Sequence, residues 1–263
     1  MADILLADRV FAPHYARAET CACTVPSVML REAPSDQARA VSQLVRGEAF
    51  ALLDVSGGWA WGRCGHDDYV GYLPAAALGA CDTPTHRVTA PLALVFAEPD
   101  IKAAVIDRWP IGSLVAGEED GAFVRAGDGF VHGRHVTLVE SRGPDPVSIS
   151  ERLLGQPYLW GGRGGGGIDC SGLVQVALGL CGIASPRDSD LQRVLGHEIA
   201  PGEALRRGDL VFLPGHVGMM ADGERLIHAN AHWMAVTVEP LADVLARVAD
   251  PASAITARRR LAA

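Results

Sequence analysis

A chain of 263 residues has room for two or three ordinary domains at roughly 100–200 residues each. Its composition, 49% hydrophobic with 21% charged and 6% aromatic, is that of a globular protein and excludes a disordered one. The formal charge of −8 excludes a general nucleic-acid binder, and no apolar run approaches the roughly 18 residues of a membrane-inserted span.

The N-terminus, MADILLADRVF, lacks the basic start and long apolar core of a secretory leader, so a cytoplasmic location is expected. The six cysteines, Cys21, Cys23, Cys64, Cys81, Cys170 and Cys181, would there remain thiols. Cys21-x-Cys23 lacks the C-x-x-C spacing of zinc and redox sites, and neither a metal nor another cofactor is expected.

After an N-terminal extension (1–20), the chain to residue 140 reads as short β-runs cut by turns. SVMLRE, AFALLDVS, WAWGRC and YVGYLP are separated by Gly57-Gly58, His66-Asp67-Asp68 and Pro74. The pattern repeats. Glu32-Ala33-Pro34 matches Glu98-Pro99, Gly57-Gly58-Trp59 matches Gly121-Ala122-Phe123, and Tyr69-Val70-Gly71 matches the Phe130–Gly133 segment. The insert PSDQARAVSQLVRGE reads as helix or loop. Two copies, 21–82 and 83–140, fit small five-stranded barrels and resemble tandem bacterial SH3-like domains.

SRGPDPVS then reads as a linker. ISERLLGQ, SGLVQVALGLCG and DSDLQRVL carry helical spacing, the second closed by Gly182 and the third with Asp188 or Ser189 as N-cap. GDLVFL, HVGMMA, RLIHAN and AVTVEP are strands. Helices followed by an antiparallel sheet predict an α+β domain over 141–263.

The glycine-rich YLWGGRGGGGIDCSGL places Cys170 at a predicted helix start, where dipole and free N–H groups favour a thiolate nucleophile. Such a nucleophile needs an oriented imidazole. Taking Ala221-Asp222-Gly223 as a three-residue hairpin loop sets Met220 opposite Glu224 and His216 directly opposite His228, their Cβ atoms about 4.5–5.5 Å apart. A hairpin one residue tighter would put the two on opposite faces. His232 is a candidate substrate contact or a plain loop residue. Gly162-x-Gly164-x-x-Gly167 satisfies a dinucleotide fingerprint, yet the alternating strands and helices that fold requires do not follow.

YLWGG, GIDCSGL, PRDSDLQ, GDLVFL, GHVGMM and LIHA, in that order, resemble the NlpC-type cysteine peptidases of bacterial cell-wall peptides. With the repeats in front, the chain is similar in architecture to γ-D-glutamyl-L-diamino acid endopeptidases. The resemblance implies a papain-like fold, with Cys170 as nucleophile, His216 as general base and His228 as its orienting partner. It implies Tyr158 near the oxyanion, Asp169 and Ser171 on the free amine and backbone of an N-terminal L-alanine, and Asp188 and Ser189 as further substrate contacts. Glu32 and Tyr69 would wall the end of the cleft. The implied substrate is a murein peptide, L-Ala-γ-D-Glu-diamino acid, in cytoplasmic recycling. The alternatives are an inactive peptide-binding scaffold and an amidase or transacylase acting on another acyl group.

Overall fold

Glycine turns cut the first half of the chain into short strands. The computed structural model, which describes residues 1–200, 202–248 and 254–261, gathers them in one unit, Met1–Ser141, while Arg142–Ala263 forms a second. No helix among the described residues is long and apolar enough to cross a membrane.

In the first copy of the repeat one sheet runs in the order Ala40–Val45, Ser27–Arg31, Val70–Pro74, Trp59–Cys64, Ala49–Ser56, Glu19–Cys23, Leu78–Gly79. Strict alternation in Trp59–Cys64 sends Ala60, Gly62 and Cys64 inward. There Ala60 and Cys64 join Leu30, Leu44, Phe50 and Leu73 in a core. The segment AVSQLV, expected as helix or loop, is a strand paired with Ser27–Arg31. Its backbone completes a ladder, and its Leu44 and Val45 are buried, so pairing overrides local preference.

The second copy repeats the pairing order with one break. Val105–Pro110, Leu92–Phe96, Gly129–His132, Phe123–Ala126 and Glu118–Asp120 form one sheet, and Leu114–Val115, His86–Val88 and Val136–Leu138 form another. Two short strands, interrupted at Ala116-Gly117, occupy the place of the long Ala49–Ser56. A 3-10 turn precedes the last strand in both copies, Ala75–Ala77 and Gly133–His135. Open sheets therefore replace the closed five-stranded barrels expected, with seven strands in the first copy and the sheet split in two in the second.

The second unit starts with α1 (Pro146–Glu151), capped by Asp145, whose carboxylate accepts from Ser148 N at 3.0 Å. It begins and ends earlier than expected. α2 (Cys170–Leu180) is buried at every residue but Gly179 and ends, as expected, before Gly182 in the left-handed region (φ 76°). The third expected helix is only a 3-10 turn, Leu191–Val194, capped by Asp190 rather than by Asp188 or Ser189. Buried Gln192 explains this, because its amide donates to Ser171 O at 3.0 Å and Pro186 O at 2.9 Å and ties the segment down.

Six antiparallel strands follow in the order His197–Glu198, Ala257–Arg260, Leu210–Leu213, His216–Met220, Arg225–Asn230, Ala235–Pro240. α2 packs against the third and second of these from the Ala235 edge. α3 (Leu241–Ala246) and strand Ala257–Arg260 were not anticipated. The latter lies between His197–Glu198 and Leu210–Leu213 despite its arginines, where Arg260 pairs with buried Asp209 at 2.8 Å and with Glu203.

Phe212 is fully buried and pairs with Val217, the residue after His216. Phe212→Ala is expected to cost about 3–5 kcal/mol, read as a lower midpoint in urea denaturation of the full chain.

Candidate active site

Asp169 organises the start of α2. As N-cap it accepts from Gly172 N at 2.7 Å through Oδ1, and through Oδ2 it accepts from Gly161 N at 2.8 Å. Arg187 grips both oxygens in a fork, Nη1 to Oδ1 at 2.9 Å and Nη2 to Oδ2 at 2.6 Å, and donates to Ser171 Oγ at 2.8 Å. The pair is buried, 2% exposed at the arginine side chain and 7% at the aspartate. Strong donors therefore occupy about all the acceptor sites of a carboxylate. Asp169 and Ser171, expected to hold an ammonium and a substrate backbone, both take part in this clamp on either side of Cys170.

The glycine-rich loop lies against this clamp. Gly161, Gly164 and Gly166 adopt positive φ, and a side chain on Gly172 would place its Cβ 2.3 Å from Gly162 O. The glycines serve tight turns and a close backbone approach.

Cys170 is the first residue of α2 and is buried. The backbone N–H groups of Val217 and Ser171 hydrogen-bond its sulfur, which sets the thiol beside the start of the His216 strand. Burial, followed by the charge of Asp169, pushes the thiol up to about 11 and outweighs those N–H groups and Arg187. Burial, with His228 next, pushes His216 down to about 4.

The hairpin carrying the histidines pairs Met219 with Ile227 and Met220 with Leu226, a register two residues from the expected one. Asp222 causes the shift. Its Oδ1 accepts from Glu224 N at 2.9 Å and Arg225 N at 2.8 Å, so the loop is Asp222-Gly223-Glu224. Extended along the strands, this register makes His216 and His228 diagonal rather than direct partners. A two-residue shift preserves facing, and the rings meet, His216 Nε2 lying 2.8 Å from His228 Nδ1.

The row continues into the next strand, where sequence reasoning stopped. His228 Nε2 lies 2.8 Å from Glu239 Oε1, which Arg247 also contacts at 2.8 Å, and Trp233 Nε1 donates to Oε2 at 3.2 Å. Burial opposes ionisation of Glu239, yet hydrogen bonds from His228, Arg247 and Trp233 hold its carboxyl below the usual range. Only the two-residue alternation of AVTVEP hinted at it.

Tyr158 is half-buried close to Cys170 and Asp169. Burial, then those two charges, pushes its hydroxyl up to about 12, so it remains a donor. Asp188 and Ser189 are half-buried beside Arg187 in sequence, while His232 is exposed with its ring against Trp233. Glu32 and Tyr69 belong to the first unit. Glu32 is exposed there, and Tyr69 packs against the core of the first copy.

Residues 155–247 match the NlpC/P60 family, and residues 30–78 match the bacterial dipeptidyl-peptidase SH3 domain. A γ-D-glutamyl-L-lysine dipeptidyl-peptidase of Bacillus cereus is 26% identical over 236 residues, 76% of this chain and 70% of that protein. The protein of the same name from Bacillus subtilis is 29% identical over 141 residues, 51% of this chain and 45% of its own length. The crystal structure of an NlpC/P60 family protein from Bacillus cereus superposes with a TM-score of 0.78 at 20% identity, covering 92% of this chain and 99% of that one, which shows a shared fold. The chain carries an NlpC/P60 domain of papain-like fold, a hydrolase domain of the cysteine-endopeptidase class, together with one bacterial SH3 domain.

Removing one partner of a buried ion pair strands the other charge. Arg187→Met is therefore expected to lower stability by about 3–5 kcal/mol in chemical denaturation, and adding Asp169→Asn should recover part of that loss.

Proposed function

We propose that this protein hydrolyses the bond between γ-D-Glu and the diamino acid of murein peptides that begin with a free L-Ala. The reading rests on one observation: the Cys170 sulfur sits at the start of the strand whose first residue, His216, is hydrogen-bonded to His228. The names of the two Bacillus relatives, γ-D-glutamyl-L-lysine dipeptidyl-peptidases, support the bond and the substrate class. Residues 83–140, whose pairing order repeats that of the matched SH3 domain, are read as a second SH3-like module.

In the proposed reaction the Cys170 sulfur attacks the γ-carbonyl carbon of D-Glu while its proton passes to His216. The carbonyl electrons move to oxygen, and the Cys170 backbone N–H and the Tyr158 hydroxyl donate to that oxyanion. As the tetrahedral species collapses, the C–N bond breaks and His216 gives its proton to the departing amine. Water then attacks the thioester, His216 takes the water proton, and the thiol leaves protonated. His228 holds His216 in place throughout.

Mass spectrometry of L-Ala-γ-D-Glu-diamino acid peptides, free and N-acetylated, tests the reading. Release of L-Ala-D-Glu from the free peptide by wild type, but not by Cys170→Ala, is the expected outcome. No release from either peptide would overturn the assignment, and cleavage of both would remove the free-amine requirement. A second expectation concerns pH. His216 must be unprotonated to act as base, and its depressed pKa keeps it so down to about 4. The acid limb of kcat/KM should fall near pH 4 rather than near the ordinary histidine value of about 6.5.

A further inference from the structure

We infer that Glu239 is a positioning residue for this reaction and sets the tautomers of both imidazoles through one continuous row of hydrogen bonds. The inference rests on the catalytic reading of Cys170 and His216 and extends it to a residue two strands away. Three neighbouring strands each supply one member of the row. His216 comes from His216–Met220, His228 from Arg225–Asn230 and Glu239 from Ala235–Pro240. Leu226 pairs with both Met220 and Glu239, so residues 216, 228 and 239 share a face and follow a diagonal across the sheet.

The hydrogen-bond directions follow from chemistry. An ionised carboxylate only accepts, so the 2.8 Å contact with Glu239 Oε1 requires the proton of His228 to sit on Nε2. A neutral imidazole then has a bare Nδ1, and the 2.8 Å contact from that atom to His216 Nε2 requires the second proton to sit on His216 Nε2. Only Nδ1 of His216 remains to act as base. The opposite polarity would place a proton on His216 Nδ1 and leave no basic nitrogen free for the thiol.

Glu239 is well supported for this role. Arg247 pairs with the same oxygen that His228 uses, and the Trp233 indole holds the other. His228 is 2% exposed, so water does not replace the carboxylate as its acceptor. An ion pair with Arg247 alone would need no such alignment. What distinguishes positioning from simple packing is the direction of two hydrogen bonds.

Nitrogen NMR of the full chain labelled at histidine reads that direction without any substrate. Both His216 and His228 are expected as Nε2–H tautomers at pH 7 in the wild type, and an Nδ1–H form at either would overturn the inference. Glu239→Gln keeps an oxygen acceptor and should keep both tautomers, with kcat within about threefold of wild type. Glu239→Ala should mix the tautomers and lower kcat about 10–100-fold with KM nearly unchanged, the usual cost of losing an outer partner that orients an imidazole. A Glu239→Ala protein with wild-type kcat and tautomers would also overturn the inference, as would a Glu239→Gln protein that folds but loses either. Should wild type cleave none of the murein peptides, the proposed substrate fails while the NMR result still decides the role of Glu239.

Discussion

The start of α2 carries more of this structure than any other point, and what holds it is the buried fork between Arg187 and Asp169. A carboxylate taken out of water is costly unless every lone pair finds a donor. Here two guanidinium N–H groups and two backbone N–H groups supply them. The same four bonds link three separate stretches of chain: the glycine loop, the first turn of α2, and the segment that includes Ser185, Arg187 and Gln192. Cys170 is the next residue, so its position is a by-product of satisfying Asp169. The arrangement also has an electrostatic cost, since the anion that caps the helix, after burial, pushes the Cys170 thiol up.

The histidines show how a sheet can transmit hydrogen-bond direction. Diagonal neighbours on adjacent strands lie too far apart for small side chains but within reach of imidazole and glutamate. A row of three such residues crosses His216–Met220, Arg225–Asn230 and Ala235–Pro240 on a diagonal that steps two residues along the strand at each crossing. Burial strips water from its middle, and partners rather than solvent then decide where each proton sits. A single aspartate in the turn, Asp222, sets the register that makes the diagonal possible.

The N-terminal unit reuses one pairing order twice, and the second copy differs by a break at Ala116-Gly117. Splitting one long strand is enough to turn a single seven-stranded sheet into two smaller ones. Turn glycines make the repeat visible in the sequence, because Gly57-Gly58 and Gly121 occupy left-handed positions at equivalent hairpins.

Local chemistry made several features legible from sequence alone. The helix that starts at Cys170 and stops before Gly182 and the strands around His216 and His228 depend on propensity, capping and alternation within a few residues. The pairing of the two histidines was legible as well, because period-two facing survives a two-residue error in register. Tertiary structure alone decided the rest. AVSQLV became a strand and DSDLQRVL failed as a helix because distant backbone and the Gln192 contacts outweighed local preference. The arginine-rich strand Ala257–Arg260 depends on a buried aspartate some fifty residues away. Glu239 joined the site only through a neighbouring strand, and burial, a property of packing, pushes the Cys170 thiol up. Sequence determined which groups were present and which way they faced, while the fold decided which of them lost water, and desolvation sets where their protons reside.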